Sequence, residues 1–145
     1  MRIVGARSLA AIVLALIVAG CVSTGALGPL PAVSDPSNAA EIVVGRERRF
    51  LGSGPTVPVT LDGVRLFGLR VGQYVVIKVD PGDHIVGTQY MGITFGWEDV
   101  TVLVRAEANG RYYFRIDPAM GQLLLNAISA DAARALMSNA TRVSP

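Results

Sequence analysis

The chain has 145 residues, of which 51% are hydrophobic, with one cysteine and a formal net charge of +2. A single cysteine excludes an internal disulfide, and loss of Arg2 and Arg7 with the N-terminal segment leaves basic and acidic side chains equal in number. The basic pI therefore does not point to nucleic acid as a partner. The length suits one domain with one core.

Residues 1–20 have the composition of a secretory signal. Arg2 and Arg7 come before the apolar run Leu9–Ala19, which is shorter than the ~20 residues that a membrane-spanning helix needs. Val18-Ala19-Gly20-Cys21 then places small residues before the only cysteine. This pattern resembles a bacterial lipobox and predicts cleavage before Cys21 and lipidation of its thiol. The alternatives are a signal cut near Ala19 by the ordinary peptidase, and an uncleaved anchor.

Lipidation at Cys21 predicts where the protein is located. One acyl chain binds a membrane only marginally, but the two or three palmitate-like chains of a mature lipoprotein make anchoring effectively permanent. Val22 follows the cysteine, where lipoproteins retained at the inner membrane often have Asp. We therefore expect the periplasmic face of the outer membrane, with the inner membrane as the alternative.

The next segment, Val22–Ala40, is rich in small, polar and proline residues and has no periodic apolar pattern. Such a composition buries too little area to offset the entropy of ordering. The sequence thus predicts a signal peptide at 1–20, a lipidated cysteine and flexible tether at 21–40, and a β-domain at 41–145.

The first half of this domain contains four predicted strands. Their alternating or apolar patterns lie at Glu41–Gly45, Thr56–Asp62, Val64–Arg70 and Tyr74–Asp80. Pro58 cannot donate to a strand ladder, so the second is expected to be an edge strand. Asp62-Gly63 predicts a tight hairpin turn into the third.

The second half continues the β pattern and ends in a helix. After a Pro81-Gly82-Asp83 turn, strands are predicted at His84–Met91, Glu98–Ala106 and Arg111–Asp117, the last with Tyr112, Phe114 and Ile116 inward and Tyr113 outward. Gln122–Ile128 is apolar, and its pattern assigns neither a helix nor a strand. Ser129 is a helix cap, Asp131 suits the first turn, and Ala132, Ala133, Leu136, Met137 and Ala140 form an apolar stripe.

These patterns predict a mainly β fold, a small antiparallel β-sandwich or partly open barrel of about seven strands with one short C-terminal helix. Three stretches carry a resemblance to a known family: Leu61-Asp62-Gly63, Val79-Asp80-Pro81-Gly82-Asp83-His84, and Asn109-Gly110-Arg111-Tyr112-Tyr113-Phe114-Arg115. The chain from about Glu41 to Met137 is similar to the bacterial lipoprotein family called domain of unknown function 2846, which looks like a relative of PEGA-type surface β-domains. The resemblance implies a β-sandwich and no particular activity.

The residue types needed for catalysis are sparse. His84, the only histidine, has Asp80 and Asp83 nearby, but a metal site needs three or four ligands; we expect its ring to bond the turn backbone. Glu98 and Asp99 adjoin on a strand, where neighbours face opposite sides. Ser53 lies in a motif too short for a nucleophile elbow. We therefore expect a non-enzymatic protein with no cofactor and no metal.

Aromatic side chains form the candidate binding surface. Tyr90, Phe95 and Trp97 gather around the glycine-flanked loop Gly92–Trp97, and Tyr113 lies on the polar face of its strand. They suit a binding patch, while packing in the core or pairing across strands is the structural alternative.

A basic cluster lies at the end of the first predicted strand. Arg46, Arg48 and Arg49 can contact anionic lipid head groups or lie on a solvated strand or loop.

The expected function is a lipid-anchored β-domain that acts as a non-enzymatic binding or structural adaptor of the envelope. Its expected partners are the membrane, through the acyl chains, and an envelope protein or glycan. The alternative is a small-ligand or glycan-binding module that uses the Gly92–Trp97 loop.

Overall fold

A computed structural model of the chain describes residues 25–48, 54–92 and 95–144, so the predicted signal, Cys21 and Ser53 lie outside the described residues. The strands are β1 (Ala40–Arg46), β2 (Val57–Leu61), β3 (Val64–Leu69), β4 (Gln73–Val79), β5 (Gly82–Met91), β6 (Trp97–Ala106), β7 (Arg111–Ala119), β8 (Gln122–Ala127) and β9 (Thr141–Arg142). Helix α1 (Ala130–Ser138) lies between β8 and β9. Of the residues described, none form a helix with the length and apolar character that crossing a bilayer requires.

The strands form two sheets that pack face to face as a β-sandwich. One sheet has five strands in the order β8-β7-β1-β4-β9, and the other has four in the order β3-β2-β5-β6. The predicted mainly β fold is confirmed, in its sandwich form. Alternate residues of β1, such as Ile42 and Val44, point between the sheets because successive strand residues face opposite sides.

One continuous apolar core fills the space between the sheets. Phe114 and Ile116 of β7 are buried in it, and Tyr112 is half-buried against it, so the predicted inward face of this strand is confirmed. Strand β4 flanks β1 on the side opposite β7, and its residues Val75, Ile77 and Val79 are fully buried. The remaining buried members are Ala40, Ile42, Val44, Val57, Val59, Leu61, Leu66, Phe67, Leu69, Val86, Val104, Ala106 and Leu125.

The four-stranded sheet is antiparallel, as predicted, but the five-stranded sheet is mixed. β1 pairs in parallel with β7, Glu41 opposite Arg111, and β4 pairs in parallel with β9. The apolar stretch that the sequence pattern leaves unassigned forms β8 over Gln122–Ala127 and turns back against β7. The two parallel pairings join segments far apart in the chain, which a local alternation pattern does not specify.

The prediction that β2 is an edge strand is wrong, because β2 lies between β3 and β5. Pro58 is accommodated because the β2–β5 ladder covers only Val59–Leu61. Next to this ladder, the Thr88 hydroxyl donates to the Pro58 carbonyl at 2.9 Å. An interior strand thus tolerates proline where its missing N–H is not needed by the ladder.

Helix α1 covers the outer face of the five-stranded sheet. Ser129 caps it by accepting from the Ala132 N–H, and Ala133 and Leu136 are its buried residues. Leu136 lies so close to Gly45 that a Cβ there would approach its Cδ2 to 2.5 Å. Glycine in β1 therefore permits the close approach of the helix.

The described part of the predicted tether, 25–40, lies along the domain rather than extending away from it, and its last residue, Ala40, begins β1. The Leu27 N–H donates to the Leu66 carbonyl, and the Gly68 N–H to the Gly25 carbonyl. Further on, the backbone N–H and hydroxyl of Ser34 donate to the carboxylate of Asp80. Backbone pairing with β3 satisfies polar groups that composition alone assigns to solvent.

We expect Phe114→Ala to lower the free energy of unfolding by about 3–5 kcal/mol, as large-to-small changes in a packed core do. Tyr113→Ala on the outer face of the same strand should cost much less. Urea unfolding of both variants measures the two losses. Near-equal losses would contradict the assignment of Tyr113 to the outer face.

Candidate functional site: a cleft at one end of the sandwich

A hairpin from each sheet extends beyond the central strands at the same end of the sandwich. β5 pairs with β6 as far as Met91 and Trp97, whereas its ladder with β2 stops at Thr88. β7 pairs with β8 as far as Ala119, whereas its ladder with β1 stops at Arg115. The two overhanging hairpins leave a space between them that no central strand fills.

This space is a cleft of about 600 Å³, within the size range of small-molecule sites. Its lining is mostly apolar, with few polar groups. The lining residues are Arg46, Glu47, Gly54, Pro55, Thr56, Val57, Val71, Gln89, Tyr90, Met91, Trp97, Ile116, Pro118, Ala119, Gly121, Gln122 and Leu123.

Arg46 supplies the buried positive charge of the cleft. Its side chain comes from the end of β1 and is only 7% exposed, which corrects the expectation that this arginine lies on a solvated or lipid-contacting surface. Nη1 donates to the carbonyls of Pro55 at 2.7 Å and Leu69 at 3.0 Å. Burial lowers the pKa of the guanidinium group, which nevertheless stays protonated near neutral pH.

Three of the four predicted aromatic residues lie at the tip of the β5–β6 hairpin, and two of them line the cleft. Tyr90 donates its hydroxyl to Glu98, which raises the pKa of the Tyr90 phenol. Trp97 is 58% exposed, and the guanidinium carbon of Arg65 lies 5.0 Å from its ring centroid. Phe95, with a φ of 60°, is 88% exposed at the tip itself.

Tyr113 does not join this group. It pairs with Val43 of β1 and is half-buried on the face of the sheet that helix α1 covers. The four aromatic residues therefore do not form one surface.

The His84 cluster lies at the opposite end of the sandwich. Nδ1 is 2.8 Å from a carboxylate oxygen of Asp62, and Nε2 is 2.8 Å from the Asp80 carbonyl. Because both ring nitrogens face acceptors, the arrangement suits the imidazolium form. Burial lowers the pKa of His84, and these bonds raise it by more, so the pKa lies above the ordinary 6.5.

The chemistry available at these two places differs. Both His84 nitrogens are engaged, and no group of three His, Cys, Asp or Glu side chains within 25–48, 54–92 and 95–144 is placed to hold a metal ion. Glu98 and Asp99 bond Tyr90 and Gln89 respectively. The cleft, with apolar walls and one buried cation, is suited to binding.

Sequence reasoning found one wall of the cleft and missed the other. The aromatic cluster beside Gly92 pointed to the β5–β6 tip. The opposite wall, from Pro118 to Leu123, had no comparable signal, since it faces the tip only through the packing of the two sheets. The burial of Arg46 was hidden by its neighbours Arg48 and Arg49, which make the segment look solvated.

A family model described as "Protein of unknown function (DUF2846)" matches residues 36–127. The match covers β1 to β8 and therefore both hairpins that form the cleft. Neither a curated protein nor a solved structure matches the chain.

We expect His84 to stabilise the fold more at low than at high pH. Because the folded pKa is raised, this contribution is complete below the unfolded value of about 6.5 and is lost as the pH rises through the folded pKa. Hydrogen bonds from Ser34 hold the pKa of Asp80 below its ordinary value, so Asp80 stays ionised across the pH range in which His84 titrates.

Urea unfolding of the wild type and His84→Asn from about pH 5 to about pH 9 tests this dependence. The difference in unfolding free energy between them should shrink with rising pH. A difference that is constant or grows with pH would show that the ring is not held as imidazolium.

Proposed function

The chain belongs to the DUF2846 family, and we propose that this member is a lipid-anchored, periplasmic β-domain that acts as a non-enzymatic binding module of the cell envelope. The observation that carries this proposal is the apolar cleft of about 600 Å³ between the two hairpins. It favours small-ligand binding beside the Gly92–Trp97 loop over a purely structural adaptor, because a scaffold has no need of an open apolar space at one end of its core.

The path of the N-terminal segment supports a membrane-proximal position for the cleft. Gly25 pairs with Gly68, near the end of β3 that borders the cleft, and the chain then runs to Ser34 at the opposite end. Only four steps along the chain separate Gly25 from Cys21, a reach of at most about 14 Å. A lipidated Cys21 therefore holds the cleft end of the domain near the bilayer surface.

Exposed apolar side chains surround the mouth of the cleft. Met91 and Phe95 lie at the β5–β6 tip, and Met120, in the β7–β8 turn, is fully exposed at 101%. Apolar groups gathered on a surface mark contact sites with a membrane or a partner. Their position at the end of the domain nearest Cys21 agrees with a surface that contacts the membrane.

Cys21→Ala should leave an unprocessed precursor or release the domain from the membrane, because the acyl chains supply the anchoring. Membrane fractionation and intact-mass measurement of the purified protein test this expectation. An unmodified N-terminus on the mature wild-type chain would refute lipidation.

Ligand binding is tested with the neutral, apolar dye N-phenylnaphthylamine and the chain from position 21 carrying Cys21→Ser, which keeps every described residue. We expect saturable dye fluorescence that Ala119→Phe reduces about tenfold or more by filling the cleft. Ala127→Phe, at an exposed position near the other end of β8, is the matched control and should bind like the parent. Equal binding by both variants would show that the dye lies elsewhere, and absence of binding by the parent would remove the basis for a ligand cleft.

A further inference from the structure

Some N–H donors of the Arg46 guanidinium group have no acceptor among the described residues of the protein. Arginine carries five N–H donors, and only Nη1 hydrogen-bonds to protein acceptors in the described part of the chain. No fully buried side-chain nitrogen or oxygen atom there lacks a partner. The N–H groups on Nε and Nη2 therefore retain access to solvent, and the solvent space that Arg46 lines is the cleft.

The charge of Arg46 is also uncompensated locally. None of the ion pairs among the described residues includes Arg46. Glu47, the one carboxylate lining the cleft, lies 3.7 Å from Nη1 of Arg115 and is paired with it. A buried cation that lacks a carboxylate partner favours an anionic ligand group, since charge-assisted hydrogen bonds are stronger than neutral ones.

The other walls of the cleft are suited to the apolar part of a ligand. Met91, Trp97 and Leu123 present hydrocarbon and ring surface, and Pro118 and Ala119 add to the facing wall. A ligand that satisfies both regions carries an anionic head at one end and a hydrocarbon chain along the other walls. That combination is the chemistry of a single-chain amphiphile.

We propose that the cleft binds an anionic single-chain amphiphile, a fatty acid or a lysophospholipid, with its head on Arg46 and its acyl chain between the two hairpins. This inference rests on the proposed function and specifies its ligand. The membrane that Cys21 brings near the cleft is the source of such molecules. Arg46 is the selective element, because the apolar walls accept neutral and charged chains alike.

Trp97 makes the proposal directly measurable, because it is the only tryptophan in the chain and it lines the cleft. The chain from position 21 with Cys21→Ser is titrated with dibromostearic acid, whose bromine atoms quench indole fluorescence, and in parallel with its neutral methyl ester. We expect saturable quenching by the acid and about tenfold weaker binding of the ester, the effect of losing one charge-assisted hydrogen bond.

Three variants locate the site. Ala119→Phe should abolish saturable quenching by the acid, and Ala127→Phe should preserve it. Arg46→Gln should reduce the affinity for the acid to that for the ester while leaving the ester unchanged. The comparison of acid with ester needs no substitution at Arg46, so it decides the question even if Arg46→Gln does not fold.

Competition identifies the source of the ligand. Unlabelled palmitate and lysophosphatidylglycerol are each added to the quenched complex, and the one that restores Trp97 fluorescence at lower concentration is the better ligand class. Recovery by either supports the anionic amphiphile, and recovery by neither refutes it.

The remaining outcomes separate this inference from the proposed function. Equal binding of acid and ester would overturn the role of Arg46 and leave an apolar ligand cleft intact. Absence of saturable quenching by both, while the neutral dye still binds and Ala119→Phe still blocks it, would overturn the acyl ligand alone. Failure of dye and acid together would overturn both.

Discussion

The guanidinium group of Arg46 holds the two sheets together at the end where the apolar core stops. Arg46 is the last residue of β1 in the five-stranded sheet, and the two carbonyls that accept from it belong to Pro55, just before β2, and to Leu69, at the end of β3. A buried arginine is costly unless its donors are satisfied. The two backbone carbonyls satisfy the donors on Nη1 and link the sheets at this end, while their neutrality leaves the positive charge uncompensated.

The opposite end of the sandwich is closed by a different polar arrangement. His84 of β5 joins the Asp62 turn to the Asp80 carbonyl beyond β4, and Asp62 also accepts from the Ile85 N–H. Ser34 then attaches the N-terminal segment to the Asp80 carboxylate. The carboxylates of Asp62 and Asp80 each accept from another segment, so paired polar groups cover the core at this end. The apolar cleft lies at the other end, beside Arg46.

Local geometry could be predicted well from the sequence, whereas the pairing of distant segments could not. Asp62-Gly63 adopts positive φ values of 50° and 83°, and Ser129 caps the helix, because each depends on residues only a few positions away. Pro58 was assigned to an edge because the rule against interior proline assumes a ladder on both sides, and here Thr88 replaces part of it. The cleft depends on β7–β8 facing β5–β6, a relation between distant segments that alternation within one strand does not encode.

In the arrangement that we propose, the N-terminal segment connects this architecture to the membrane. A tether that was free over its whole length would let the domain sample many orientations, whereas pairing of residues 25–28 with β3 leaves only the few residues after Cys21 to connect the anchor and the fold. The mature chain in the proposed arrangement has equal numbers of basic and acidic side chains, so long-range attraction to anionic lipids is weak. Under this proposal, proximity comes from the anchor, which raises the effective concentration of membrane lipid at the cleft. The proposed selectivity for an anionic chain then depends on Arg46, whose charge acts over a short range inside an apolar space.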